Sequence, residues 1–269
     1  MPYFFFFCCW ISVFGPLSAQ DYESKLLQDI EHKTRWMEVD KMKHLYLIQN
    51  EHTLLKYSAD GELLFRYNEN NLGEIAVLDV TNPFRILVYY EDFNTVVFLD
   101  RTLSEIQRFD LSDFDIWQTQ AIGLASDNNL WIFDNNSYTV KKIDNSGETI
   151  TESDDLTLFL SKAPTPNRVI EFNDRLYLNS PNLGIIVLDL YGTFIKTIEI
   201  PNLDYFQLHN GQIFYIQDQS IKSYHLLSFL EKKINLPITE PNLEQLCIAQ
   251  ERLYLKYPNK TSIFRLKEK

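Results

Sequence analysis

The sequence predicts an all-β fold made of six copies of one unit, and three observations carry that prediction. A short apolar strand recurs with a period of about 42 residues, a repeat length expected of a cyclic or stacked array. β-Branched and aromatic residues fill the segments around each copy, while Asn, Asp, Gly and Pro gather between them, as strand and turn backbones require. The chain has 269 residues, 45% of them hydrophobic and 14% aromatic, which suits one all-β domain with a substantial core.

The recurring strands are Leu45-Tyr46-Leu47, Ile86-Leu87-Val88, Leu130-Trp131-Ile132, Leu176-Tyr177-Leu178, Ile213-Phe214-Tyr215 and Leu253-Tyr254-Leu255. Their first residues lie 37 to 46 positions apart. Each follows another strand across a tight polar turn such as Asp127-Asn128-Asn129 or Asn173-Asp174-Arg175. A second turn, such as Asp134-Asn135-Asn136, leads to a third strand. The third strands are Thr53 to Tyr57, Thr95 to Leu99, Thr139 to Ile143, Gly184 to Leu188, Ile221 to Tyr224 and Ser262 to Leu266. A turn such as Ala59-Asp60-Gly61 or Asn145-Ser146-Gly147 then precedes a fourth strand, as in Leu63 to Tyr67, Ile195 to Ile200 and Lys232 to Leu236.

Four short antiparallel strands repeated six times describe a six-bladed β-propeller. The sixth repeat stops at its third strand, at Lys269. Part of Tyr22 to Lys33 is therefore expected to supply the fourth strand of the last blade and to close the ring, because open strand edges are costly. The competing reading is a helix, from the spacing of Leu26, Leu27 and Ile30.

Thr139 to Gly147 and Thr53 to Gly61 display the repeated unit best: a Thr-led apolar strand, then a polar turn ending in Gly. Through it the chain resembles the six-bladed propellers of the NHL, TolB-like and related secreted families over nearly its whole length after the N-terminal segment. The resemblance is architectural. The Trp-Asp and Gly-His signature of WD40 repeats and the recurrent tryptophans of quinoprotein propellers are missing. Some six-bladed propellers are metal-dependent lactonases or related hydrolases. That resemblance would place carboxylates and amides near the central axis, with Glu38, Asp79, Glu171 and Gln245 as candidates. Ordinary strand alternation accounts for the same residues, and fold does not give function.

Residues 1–19 read as a signal peptide. Phe4 to Phe14 is almost wholly apolar, too short to span a bilayer comfortably, and Leu17-Ser18-Ala19-Gln20 offers a small-residue cleavage site after Ala19. No Lys or Arg precedes the apolar run, a departure from the usual pattern. The mature domain, residues 20–269, would then be secreted or periplasmic, with no transmembrane segment. Cys8 and Cys9 leave with the leader, so Cys247 has no intrachain partner, and its neighbours Leu246 and Ile248 mark it as a buried structural thiol.

No nucleophile elbow, phosphate loop, His-Glu-x-x-His motif or cysteine pair occurs, and the five histidines lack metal-ligand spacing. Hence no catalytic, metal or cofactor residues are assigned. The asparagines of Asn135-Asn136-Ser137 and Asn259-Lys260-Thr261 match the glycosylation pattern, but both fall in turns that favour Asn anyway.

The formal net charge of −12 disfavours nucleic acid and favours a basic partner, although it also serves solubility. In a propeller, the turns between second and third strands share one face with the crossovers between blades. On that face fall Glu51, Glu91, Asp92, Asp134 and Asp218 in the turns and Asp110, Asp113, Asp115, Asp154, Asp155, Asp204, Glu240 and Glu244 in the crossovers, with Lys162 and Arg168 the clearest of few bases, while the opposite face is mixed. Aromatic residues sit among these acids, so Trp117, Asp113, Asp115, Asp154, Asp155, Asp204 and Tyr205 are the candidate partner-binding residues. The plainer alternative is that such aromatics pack in the core. The long crossover from Thr151 to Arg168 is the candidate contact element. The expected function is a non-catalytic protein-binding or assembly module, such as a subunit of a cell-envelope complex. The alternatives are a divalent-cation-dependent hydrolase with its site in the central channel, and a carbohydrate-binding protein.

Overall fold

A computed structural model describes residues 22–117, 119–234, 236 and 240–268. The proposed leader, residues 1–19, lies outside the described residues. Six four-stranded antiparallel sheets form, each from strands consecutive in sequence except the last. Blades 1 to 5 begin with the innermost strands Trp36–Val39, Ile75–Asp79, Ile122–Leu124, Arg168–Phe172 and Phe206–His209. Blade 6 begins with Gln245–Ala249 and continues through Arg252–Lys256 and Thr261–Glu268. Its fourth strand is Tyr22–Ile30, which pairs antiparallel with Thr261–Glu268. The segment is thus a strand and not a helix. Both ends of the described chain meet in one blade, so opening the ring means tearing out a nine-residue strand.

The six anchors all lie in second strands. Leu45, Tyr46, Leu47, Leu130, Trp131, Ile132 and Leu176 are essentially without exposed surface. Alternation is absent there because both faces of a blade's middle strands pack against neighbouring blades. In Ile86–Tyr90 and Thr95–Leu99 every residue is buried, a pattern otherwise expected of sheets covered on both sides. Fourth strands lie at the rim, and Leu63–Asn68 is almost wholly exposed.

The core is correspondingly divided into six clusters, one at each interface between adjacent blades. Trp131, Phe133 and Val140 of blade 3 meet Leu176, Leu178 and Ile186 of blade 4, for example. Here the innermost strands come close enough that a Cβ on Gly123 would stand 2.4 Å from the Val169 carbonyl oxygen, so only glycine fits.

The turn after the third strand repeats one device. Asp100, Asp144 and Asp189 each accept hydrogen bonds from the backbone N–H groups two and four residues ahead. Ser58 performs the same role in blade 1. In blade 5 the equivalent residue is His225, whose Nδ1 accepts from the Leu227 and Ser228 N–H groups instead.

Candidate functional site

The sequence directs attention to two places: the channel on the axis and the face that holds the crossovers. The channel is bridged. Arg168, at the start of blade 4, donates from Nη1 to Glu38 Oε1 of blade 1 at 2.5 Å, across the axis of the ring. The same Oε1 accepts from Trp36 Nε1 at 3.0 Å. Tyr205, just before blade 5, lies under the Arg168 guanidinium at 4.7 Å and packs edge-on against Trp36. Its hydroxyl meets Cys247 Sγ of blade 6 at 3.0 Å and donates to Glu38 Oε2 at 3.4 Å. Four blades are thereby tied at one point.

Burial alone would discharge Arg168, but the adjacent Glu38 carboxylate more than offsets this and holds the guanidinium firmly charged. Burial pushes the Tyr205 hydroxyl and the Cys247 thiol well above their ordinary ranges, so both stay protonated. Cys247 is a wholly buried free thiol, as its apolar neighbours led one to expect.

The axial candidates do not converge. Asp79 accepts from the Leu124 N–H of blade 3, and Gln245 Oε1 accepts from the Met37 N–H of blade 1. Glu171 accepts from Trp131 Nε1 and the Ser126 N–H, both of blade 3. Gln207 of blade 5, which the sequence did not single out, both accepts from and donates to the backbone of Ile248 in blade 6. Polar residues on innermost strands therefore tie blade 2 to 3, 3 to 4, 5 to 6 and 6 to 1, satisfying backbone groups that face the channel. Among the described residues, no three His, Cys, Asp or Glu side chains are grouped to hold a metal ion. Beside Arg168 a cavity of about 240 Å³ remains, bounded by Arg35, Trp36, Asp79, Asn167 and Asp204.

The crossover face is built differently. Between blades 2 and 3, a short 3-10 helix spans Leu111–Phe114. The Asp110 side chain caps it by accepting from the Ser112 N–H, and Asp115 ends it in the left-handed conformation. Buried Leu111 and Ile116 pin this segment down. Asp113 and Asp115 stay exposed, and Trp117 keeps 63% of its surface exposed. The next crossover repeats the pattern. Asp154 is exposed, while Asp155 caps a second 3-10 turn, Leu156–Leu158, by accepting from the Thr157 N–H at 2.8 Å. Leu156 anchors the turn, leaving Leu158 at 73% exposure and Phe159 stacked on Phe194.

Asp204 is exposed near the channel mouth. Tyr205 is not on the face at all: it is buried in the channel cluster, because an aromatic ring there is worth more against Trp36 and Arg168 than in water. Leu158 escaped sequence reasoning, although an apolar pair embedded in an acidic crossover was a usable signal. Glu91, Asp92, Asp113, Asp115, Asp154 and Asp204 enter no ion pair among the described residues. Asp134, Glu244 and Glu240, also expected on this face, are instead matched by Lys141, Lys256 and Lys260, because bases on or beside the adjoining strands reach them. On the opposite face, Lys43, Lys142 and Arg252 are matched by Glu251, Asp127 and Asp60.

No helix among the described residues is long and apolar enough to cross a membrane. No protein-family profile matches the sequence, and no curated protein matches it. Solved structures do match in shape. Catalytically inactive virginiamycin B lyase from Staphylococcus aureus, solved with quinupristin, superposes with a TM-score of 0.63 at 12% identity, over 92% of this chain and 100% of that one. BamB from Moraxella catarrhalis gives a TM-score of 0.54 at 12% identity, over 86% and 82% of the two chains. A Bacteroides thetaiotaomicron protein of unknown function gives 0.66 at 12% identity, over 92% and 76%. At such identities the likeness establishes the propeller and nothing finer, so the chain is placed by fold and not by family.

Proposed function

We propose that this protein is a non-catalytic binding module, exported by the 1–19 leader to the periplasm or exterior, that holds a basic protein partner on its crossover face. The observation that carries this reading is the exposure of Trp117 on a crossover pinned by buried Leu111 and Ile116, with Asp113 and Asp115 beside it in no ion pair among the described residues. An exposed tryptophan on an ordered segment is the type of residue that dominates interface energetics. Unpaired like charge around it raises the local potential and speeds encounter with a cation-rich surface. Asp113, Asp115, Asp154, Asp155 and Asp204 supply that charge, and Leu158 adds apolar area on the neighbouring crossover. Tyr205 serves from inside, by fixing the channel mouth beside Asp204.

A second reading, a hydrolase or lactonase-like enzyme using a divalent cation in the channel, draws support from the cavity beside Arg168 and from a fold shared with a lyase. The engagement of Glu38, Asp79, Glu171 and Gln245 in ties between blades weighs against it.

Capture from cell-envelope extracts on immobilised residues 20–269 tests the leading reading. The expected partner is basic, elutes as salt is raised, and is lost from Asp113→Asn/Asp115→Asn. Retention indifferent to both salt and these substitutions contradicts it.

A further inference from the structure

Blade 5 departs from its siblings at one position, and the departure opens a space. Opposite the middle residue of each anchor, the third strand carries a side chain of valine size or larger in five blades. The pairs are Tyr46 with Lys56, Leu87 with Phe98, Trp131 with Lys142, Tyr177 with Val187 and Tyr254 with Ile263. In blade 5, Phe214 faces Ser223. The missing volume is not refilled. A cleft of about 650 Å³ lies between blades 5 and 6, opening on the face opposite the crossovers. That size is ordinary for a small-molecule site.

The lining is apolar within and cationic at the rim. Phe214, Ile221, Leu246 and Leu253 supply the floor. Directly opposite residues of an antiparallel pair share one face, so Phe214, Ser223 and Lys232 form a row looking into the cleft. Lys232 enters no ion pair among the described residues. The acids nearby are already matched: Glu231 pairs with Lys222 and accepts from the Tyr215 hydroxyl, and Glu251 pairs with Lys43. His209 lies against Phe214, and burial lowers its pKa, so it presents a neutral ring. The local balance is therefore basic in a chain of net charge −12.

We propose that this cleft binds an anionic amphiphile, its apolar chain against Phe214 and Leu246 and its acidic head at Lys232. The chemistry is that of a free fatty acid or of an acidic lipid drawn from a bilayer. Nothing in it depends on the crossover face.

Dodecanoate, titrated calorimetrically into residues 20–269 below its micelle concentration, is the probe. Saturable binding with a rise in Tm is expected. Ser223→Phe, which copies blade 2, should weaken it at least about tenfold. Ser223→Val, copying blade 4, serves should the larger residue prevent folding. Lys232→Gln should weaken dodecanoate by about fivefold to tenfold and leave neutral dodecanol unaffected. Flotation with phosphatidylglycerol vesicles separates the sources. Vesicle binding abolished by Ser223→Phe assigns a bilayer lipid, and dodecanoate binding without it assigns a free molecule. The proposal is overturned by absence of saturable dodecanoate binding to the folded protein, by unchanged affinity in both Ser223 variants, or by dodecanol binding as tightly as dodecanoate.

Discussion

At the scale of single residues, the channel cluster is where physical chemistry is most exacting. A guanidinium and a carboxylate removed from water are stabilised only while they have each other. Arg168→Met should therefore cost about 3–5 kcal/mol by stranding Glu38, whereas Glu38→Gln/Arg168→Met should recover most of the loss, since an apolar replacement of the pair is often neutral. Urea denaturation of the three variants measures this directly. Glu38 was legible as an axial candidate and Cys247 as a buried thiol, but their mutual contacts were not. Glu38 and Arg168 are 130 positions apart, and Tyr205 and Cys247 are 42 apart. Only closure of the ring brings them together. Tyr205 was legible as an aromatic in an acidic crossover, but its direction depends on a neighbour, Trp36, from another blade.

Carboxylates elsewhere set the pH response. Burial raises the pKa of Asp134, but a hydrogen bond and charge from Lys141 outweigh this and hold it below the ordinary range. Hydrogen bonds from the Asn71 N–H and from Arg108 lower that of Glu69. For such groups the stabilisation is fully present above the unfolded carboxylate pKa and is lost as pH falls through the lower folded value. Stability should thus begin to fall below about pH 6.5, where His209 protonates in the unfolded chain but resists it when buried, and should decline further below about pH 4 as these carboxylates protonate. Thermal unfolding followed from pH 7 to pH 3 checks the sign, and a Tm that rises on acidification contradicts it.

At the scale of elements, the repeat made most strands readable. Each anchor is apolar on both faces because two blades cover it, and each turn carries its Asp, Asn or Gly for a backbone reason. Trp131→Ala or Leu176→Ala, both fully buried, should cost about 2–5 kcal/mol through the cavity left behind. Gly123→Ala should cost about 1–3 kcal/mol by forcing the innermost strands of blades 3 and 4 apart, a clash absent at Gly211, where a Cβ meets nothing within 4 Å and only the left-handed φ of 71° opposes substitution. The closing strand was legible from a count of strands, not from its own pattern, which is ambiguous between helix and strand. The cleft beside blade 5 was not legible, because it rests on what Ser223 lacks relative to five other blades, and that comparison needs the register.

At the scale of the whole molecule, charge and shape separate the two faces. Lys43, Lys142 and Arg252 of the opposite face are matched by acids, while Asp113 and Asp115 beside Trp117 enter no ion pair among the described residues. The same ring holds a bridged channel, so the account places binding on the crossovers and gives the axis a structural role. The measurement that tests this most directly compares partner capture by Trp117→Ala and by Glu38→Gln/Arg168→Met, both verified as folded. The account predicts that the tryptophan variant loses the partner and the channel variant keeps it. Capture that survives loss of Trp117 but fails with the altered channel would contradict it.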